Sequence, residues 1–141
     1  MLRKLALVFA LMFGIVVAIG WVPQFVTATR ATPDGYERTM WGLFMLSLFD
    51  DITHGLTAAA LAVGAMHSDR WSRLAFTAFG WYYACDALFF LAFGFFNSKP
   101  YSADLMLNLP HVIISAMMIR IAYRVHGTDT SKPTLPYASL R

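Results

Sequence analysis

The sequence predicts an all-α integral membrane protein, a bundle of four transmembrane helices with both termini on the cytoplasmic side. Three observations predict it. Of 141 residues, 58% are hydrophobic and only 13% are charged, about half the charged share of an average soluble domain. Four apolar stretches recur along the chain, each long enough to cross a hydrocarbon core ~30 Å thick with roughly 20 helical residues. The bases flank those stretches with a bias toward one side, as topology signals do.

The first stretch runs over 5–26. Arg3 and Lys4 followed by an apolar run also describe a secretory signal peptide, with Ala18-Ile19-Gly20 as its small-residue cleavage site. The apolar character continues through Trp21, Val22, Phe25 and Val26, which is long for a signal core and favours a retained helix. No polar side chain lies between Leu5 and Gly20, so this helix is read as packing or lipid-facing. Gly14 and Gly20 are its candidates for close helix contacts.

The second helix is expected over 40–66, the third over 74–96 and the fourth over 105–124. Together they form a transmembrane domain over 1–127, followed by a flexible polar tail over 128–141. Strands are not expected, because a spanning segment can satisfy its backbone hydrogen bonds alone only as a helix. Between the first two helices, Thr27 to Thr39 reads as an outer loop with a turn cluster at Pro33, Asp34 and Gly35. His67 to Arg73 is a short connection that makes the second and third helices antiparallel neighbours. Asn97-Ser98-Lys99-Pro100 is a tight outer turn, after which Ser102 or Asp104 can cap the fourth helix.

Eight bases (Arg3, Lys4, Arg70, Arg73, Arg120, Arg124, Lys132, Arg141) fall on one side of this arrangement. Arg30, Arg38 and Lys99 fall on the other. The larger set marks the cytoplasmic side. The implied localisation is multi-pass in a membrane, and the bacterial inner membrane is the expected one. Spread bases of this kind do not form a nucleic-acid surface. The lone Cys85 excludes an internal disulfide and any Cys-based metal motif, and is read as a small core residue.

Polar groups inside the apolar stretches carry the functional expectation. Ser47, Asp50, Asp51, His54 and Thr57 share about one third of the circumference of the second helix at ~100° per residue. Asp50 and His54 stand one turn apart and can touch. The third helix adds Asp86 among Phe79, Tyr82, Tyr83, Phe89, Phe90 and Phe93. The fourth adds Asn108 and His111, with Ser115 a turn deeper and Pro110 removing a backbone donor. Counted from Arg38, Asn97 and Asp104, the groups Asp50, Asp86 and His111 lie roughly 18, 16 and 10 Å below the outer boundary at ~1.5 Å rise per residue. That permits one cluster reached from three helices.

A charged side chain at mid-bilayer costs ~2.5–3.5 kcal/mol on insertion scales. A polar contact between transmembrane helices returns only ~0.6 kcal/mol on average. A clamp between helices is thus a poor return for burying carboxylates. The expected site binds a small lipid-like or apolar ligand, with proton transfer by carboxylate and imidazole as an enzymatic version. Its candidate ligand-binding or proton-handling residues are Asp50, Asp51, His54, Asp86, His111, Asn108, Tyr82 and Tyr83. An amine, a sterol-like hydroxyl or a quinone would fit, and this reading requires no cofactor. Two alternatives stay open. His54 and His111 could ligate a haem or a metal, or the chain could be an accessory subunit of a larger membrane complex or a homo-oligomer. The spacing Asp50-Asp51-Ile52-Thr53-His54 matches no family signature.

Overall fold

A computed structural model describes residues 1–32, 35–41, 44–96 and 101–125. The turn residues Pro33 and Asp34, the connection from Asn97 to Pro100 and the tail over 128–141 lie outside the described residues, as do the side chains of Ser102 and Asp104. Four helices carry the fold: α1 (Leu2–Ile19), α2 (Leu48–His67), α3 (Asp69–Phe96) and α4 (Tyr101–Arg124). Two of them, α1 and α3, are long and apolar enough to cross a membrane. Helix α1 packs along α2 and α3 along α4, while α2 against α3 joins the two pairs.

The segment between α1 and α2 departs from expectation. It is a three-stranded antiparallel sheet of β1 (Val26–Thr32), β2 (Gly35–Met40) and β3 (Phe44–Leu46), paired in the order β1-β2-β3. Val26 faces Met40 at one end of the hairpin and Thr32 faces Gly35 at the other, with a register shift between Ala28 and Arg30. Met40 pairs with Phe44 and Arg38 with Leu46 on the other side of β2. The exclusion of strands holds only for membrane-spanning segments. Outside a span, Val26, Thr27, Thr29 and Thr32 suit an extended backbone, and a hairpin partner supplies the hydrogen bonds.

The sheet also moves the start of the second helix from 40 to Leu48. The apolar residues Phe44 to Leu46 belong to β3, and hydropathy alone could not distinguish them from helix. Trp41 makes the bend between β2 and β3 with φ of 53°, a left-handed backbone that bulky residues rarely adopt. Its N–H donates to Phe25 O at 3.1 Å.

Each helix buries one stripe at helical spacing. On α1 it is Leu2, Ala6, Phe9, Ala10 and Phe13. On α2 it is Asp51, His54, Thr57, Leu61 and Gly64. Ser72, Ala75, Phe76, Tyr83 and Ala87 from α3 meet Ser115, Met118 and Ala122 from α4. Phe9 stands edge-on to Phe76 with centroids 5.4 Å apart, at the middle of this core. Cys85, expected in the core, is exposed, since it lies off the face that Phe76, Tyr83 and Ala87 define.

Two arginines read as topology signals also close helix ends. Arg3 donates from Nε to Ala65 O at 2.5 Å and from its terminal nitrogen to Met66 O at 2.9 Å. Arg73 donates to Ala122 O and to Val125 O. The last carbonyls of a helix have no partner within it, and a cation there also complements the helix dipole. Only Ser68 separates α2 from α3, so the connection is tighter than the His67-to-Arg73 span expected.

The two tightest approaches fall on glycines other than those expected, although a Cβ at Gly20 would lie 3.2 Å from Leu46 Cδ1. A Cβ at Gly14 would meet nothing within 4 Å, whereas one at Gly64 would lie 2.9 Å from Ser72 Cα. One at Gly80 would lie 3.0 Å from Ile119 Cγ1 and 3.1 Å from its backbone N. These two positions set the α2–α3 and α3–α4 crossings. Gly64→Ala should therefore lower stability by about 1–3 kcal/mol through overpacking. Gly14→Ala should be neutral or stabilising, because alanine is the better helix former by up to ~1 kcal/mol. Thermal unfolding midpoints of the two purified variants distinguish these outcomes.

Candidate functional site

The polar residues of α2 divide into two groups with different work. Ser47 is the N-cap, with an extended backbone, and its Oγ accepts from the Asp50 N–H at 3.2 Å. Asp50 Oδ2 reaches back to accept from the Ser47 N–H at 2.8 Å and from Ser47 Oγ–H at 2.7 Å. This is a reciprocal capping box. Asp51, in the same first turn, forms an ion pair with Arg38 of β2. The two carboxylates thus sit at a helix start, where negative charge suits the dipole, and not a dozen residues into a helix. The depth of roughly 18 Å expected for Asp50 fails because that count began at Arg38, which is in a strand. The expected Asp50–His54 contact gives way to the Ser47–Asp50 cap.

Arg38 is itself held from three directions. Its guanidinium donates to Gly20 O at 2.6 Å and to Asp51, and lies 4.3 Å from the centre of the Trp21 ring. Stacking on an indole adds a cation–π attraction. One side chain therefore ties the sheet to the end of α1 and the start of α2. Leu46 seats beside Gly20 in the same junction.

The second group forms around Tyr83. The Tyr83 ring stacks on Phe13 at 5.4 Å and 9°, and on His54 at 5.9 Å and 23°. It also meets His111 at 5.4 Å, and Tyr82 edge-on at 5.3 Å. His54 and His111 stand 6.2 Å apart between ring centres. Asp86 Oδ2 lies 2.9 Å from His111 Nδ1. That contact does not meet hydrogen-bond geometry, so His111 Nδ1 is left without a hydrogen-bond partner. Thr57 Oγ1 lies 3.0 Å from the Tyr83 hydroxyl and donates to Thr53 O at 2.7 Å.

The spacing along each helix explains the meeting. His54 and Thr57, three apart on α2, share its buried stripe. Tyr83 and Asp86 do the same on α3. Phe13 closes the α1 stripe at the level of His54. His54 is 8% exposed, and its Nδ1 has no hydrogen-bond partner. Asp86 and His111 lie nearer the periphery, with side chains 20% and 24% exposed.

The structure therefore joins His54, Tyr82, Tyr83, Asp86 and His111 of the expected set, with Asn108 half-buried three residues before His111. Asp50 and Asp51 take other hydrogen-bond and ion-pair partners, as cap and ion pair, while Asp50 remains near enough to act electrostatically on His54, Tyr82, Tyr83 and Asp86. Phe89, Phe90 and Phe93, read as the surroundings of Asp86, are exposed. Phe13 and Arg38 were missed. The periodic stripe on α1 points to Phe13, while nothing local to Arg38 identifies Asp51 as its partner.

No three His, Cys, Asp or Glu side chains among the described residues converge on a metal position. A porphyrin held between His54 and His111 would have to displace Tyr83, which packs against both imidazoles. The haem and metal alternatives thus gain nothing from the geometry. Comparisons with family models, with curated proteins and with solved structures gave no match.

Proposed function

We propose that this chain is a multi-pass membrane protein that binds a small lipid-like or apolar ligand at the Tyr83 cluster. All four helices cross the bilayer in this reading, with both termini cytoplasmic. Support comes from their outward faces, where Leu7, Leu11 and Ile15 on α1, Leu56 and Val63 on α2, Trp81 and Leu88 on α3, and Ile113 and Met117 on α4 are exposed. Apolar surface on that scale is rare on a water-facing monomer and suits lipid. The eight-to-three division of bases supports the direction.

The observation that carries the binding reading is His54 Nδ1, buried without a partner beside aromatic rings. A clamp between helices satisfies its own polar atoms, as the large majority of buried side-chain polar atoms do. A binding site keeps one in reserve, and such sites combine apolar walls with a few placed polar groups. Asp86 and His111 add ionisable groups beside it, which allows acid–base chemistry on the ligand.

The test is thermal stabilisation of the detergent-purified protein by a short-chain ubiquinone, a sterol and dodecylamine. At least one should raise the midpoint in proportion to its concentration. The double variant His54→Phe plus Asp86→Asn should lose that shift, while Asp51→Asn, though less stable, should keep it. Absence of any shift across the panel counts against the reading.

A further inference from the structure

We infer that the end of the molecule where α1 and α3 begin and α2 and α4 finish docks anionic phospholipid. The headgroup sits on Lys4, Arg70, Arg120 and Arg124, and the acyl chains lie along the apolar stripes that run into those bases. This rests on the membrane crossings proposed above and not on the ligand site at Tyr83. Hydrogen bonds bring the four helix termini together. Arg3 joins the start of α1 to Ala65 and Met66 at the end of α2, and Arg73 joins the start of α3 to Ala122 and Val125 at the end of α4. Ser68 alone separates α2 from α3.

The bases at this end divide by what they do. Arg3 and Arg73 close helix ends. Lys4, Arg70, Arg120 and Arg124 are exposed, and none of them has a hydrogen bond or ion pair with another described residue. Asp69 is the one acid at this end among the described residues. Helix stability does not account for the surplus, because Lys4 and Arg70 stand in the first turns of α1 and α3, where the helix dipole opposes a cation. An anion from outside the chain answers that charge.

The pattern of exposure selects lipid among anions. On α1, Lys4 continues an exposed stripe of Val8, Leu11 and Ile15. On α3, Arg70 continues Leu74, Trp81 and Leu88, and on α4 Arg120 and Arg124 continue Ile113 and Met117. These spacings keep each base on the helix face of its apolar neighbours. A base at the foot of an apolar stripe matches an amphiphile, with the chain along the stripe and the anion on the base. A nucleic acid or an acidic protein segment has no use for the stripe. Trp71 and Tyr123 are exposed at the same end, as aromatic rings at headgroup level are. Basic side chains beside membrane helices attract anionic lipid through charge.

The detergent-purified protein, exchanged into mixed micelles of equimolar dioleoyl phosphatidylglycerol and dioleoyl phosphatidylcholine and read by native mass spectrometry, tests this. The two lipids share chains and phosphate and differ in net headgroup charge. Phosphatidylglycerol should be retained about fivefold over phosphatidylcholine, the ratio one base at an anionic headgroup supplies. Raising sodium chloride from about 0.1 M to about 1 M should bring the ratio toward parity, because the reach of exposed charge falls from ~10 Å to ~3 Å. Lys4→Gln, Arg70→Gln, Arg120→Gln and Arg124→Gln together should do the same at low salt while both lipids are still retained. Arg30→Gln, Lys99→Gln, Lys132→Gln and Arg141→Gln together remove the same charge elsewhere and should leave the ratio unchanged. Circular dichroism of each variant confirms that it remains folded. Parity in the wild type overturns the inference, leaves the membrane crossings standing and turns these bases toward an acidic protein partner. A preference that resists salt, or that both variants lose equally, also overturns it. Retention of neither lipid overturns the crossings as well.

Discussion

Arg38→Ala should lower the stability of the whole molecule by about 3–5 kcal/mol, the largest single effect expected of an ionic side chain here. Asp51 is 7% exposed, and its ion pair is with Arg38. Removing one member of a buried pair leaves an uncompensated charge, which is far costlier than the pair itself is worth. Two further losses accompany it. Gly20 O loses the guanidinium that accounts for its hydrogen bond at the end of α1, and the Trp21 ring loses the cation above it. Arg38→Ala combined with Asp51→Ala should recover part of the loss, because the stranded carboxylate is then gone. The four unfolding midpoints of a double-mutant cycle give the coupling. A fully additive cycle would show that the two side chains do not depend on each other. The sheet should also be more open to protease in the arginine variant, since Arg38 joins it to two helices.

Tyr83→Ala is expected to be comparably damaging, by about 3–5 kcal/mol, for a different reason. The side chain is 2% exposed and touches the rings of Phe13, His54, Tyr82 and His111, from all four helices. Truncation opens a cavity whose cost adds to the lost contacts. Tyr83→Phe separates the ring from the hydroxyl. It keeps the stacking and removes only the bond to Thr57, and Thr57 retains its own bond to Thr53 O. That variant should lose about 0.5–1.5 kcal/mol. Equal losses for the two would place the importance of Tyr83 in its hydroxyl and count against the stacked core. Measured by unfolding midpoint in one detergent, the two variants should differ by more than twofold in free energy.

Reading residues in order explains which parts of this protein were legible. The polar arc on α2 was found because helical periodicity is local: residues three and four apart share a face whatever they face. That α1 and α3 are long and apolar enough to cross a membrane was legible for a similar reason, since length and apolar content are read directly. The division of that arc was not legible. Ser47 and Asp50 read as two more polar residues in a span, and became a capping box only once β3 ended at Leu46. Hydropathy counts Phe44, Met45 and Leu46 alike in a strand or a helix, so an apolar run could not say where the helix began. A Ser-x-x-Asp sequence before an apolar run was the available signal.

Sequence alone thus determined the helical, apolar nature of the chain and the membership of His54, Asp86, His111, Tyr82 and Tyr83 in a polar set. Each follows from composition, or from spacing within one helix, where 3.6 residues per turn fix which neighbours share a face. Only the tertiary structure decided which of those residues meet. Asp51 turned to Arg38 across a sheet boundary, Asp50 to its own helix start, and Tyr83 to Phe13 on a helix with no polar residue to announce it. Such contacts depend on the crossings set by Gly64 and Gly80 and on the placement of the sheet. These are long-range packing choices between elements, and local periodicity carries no record of them.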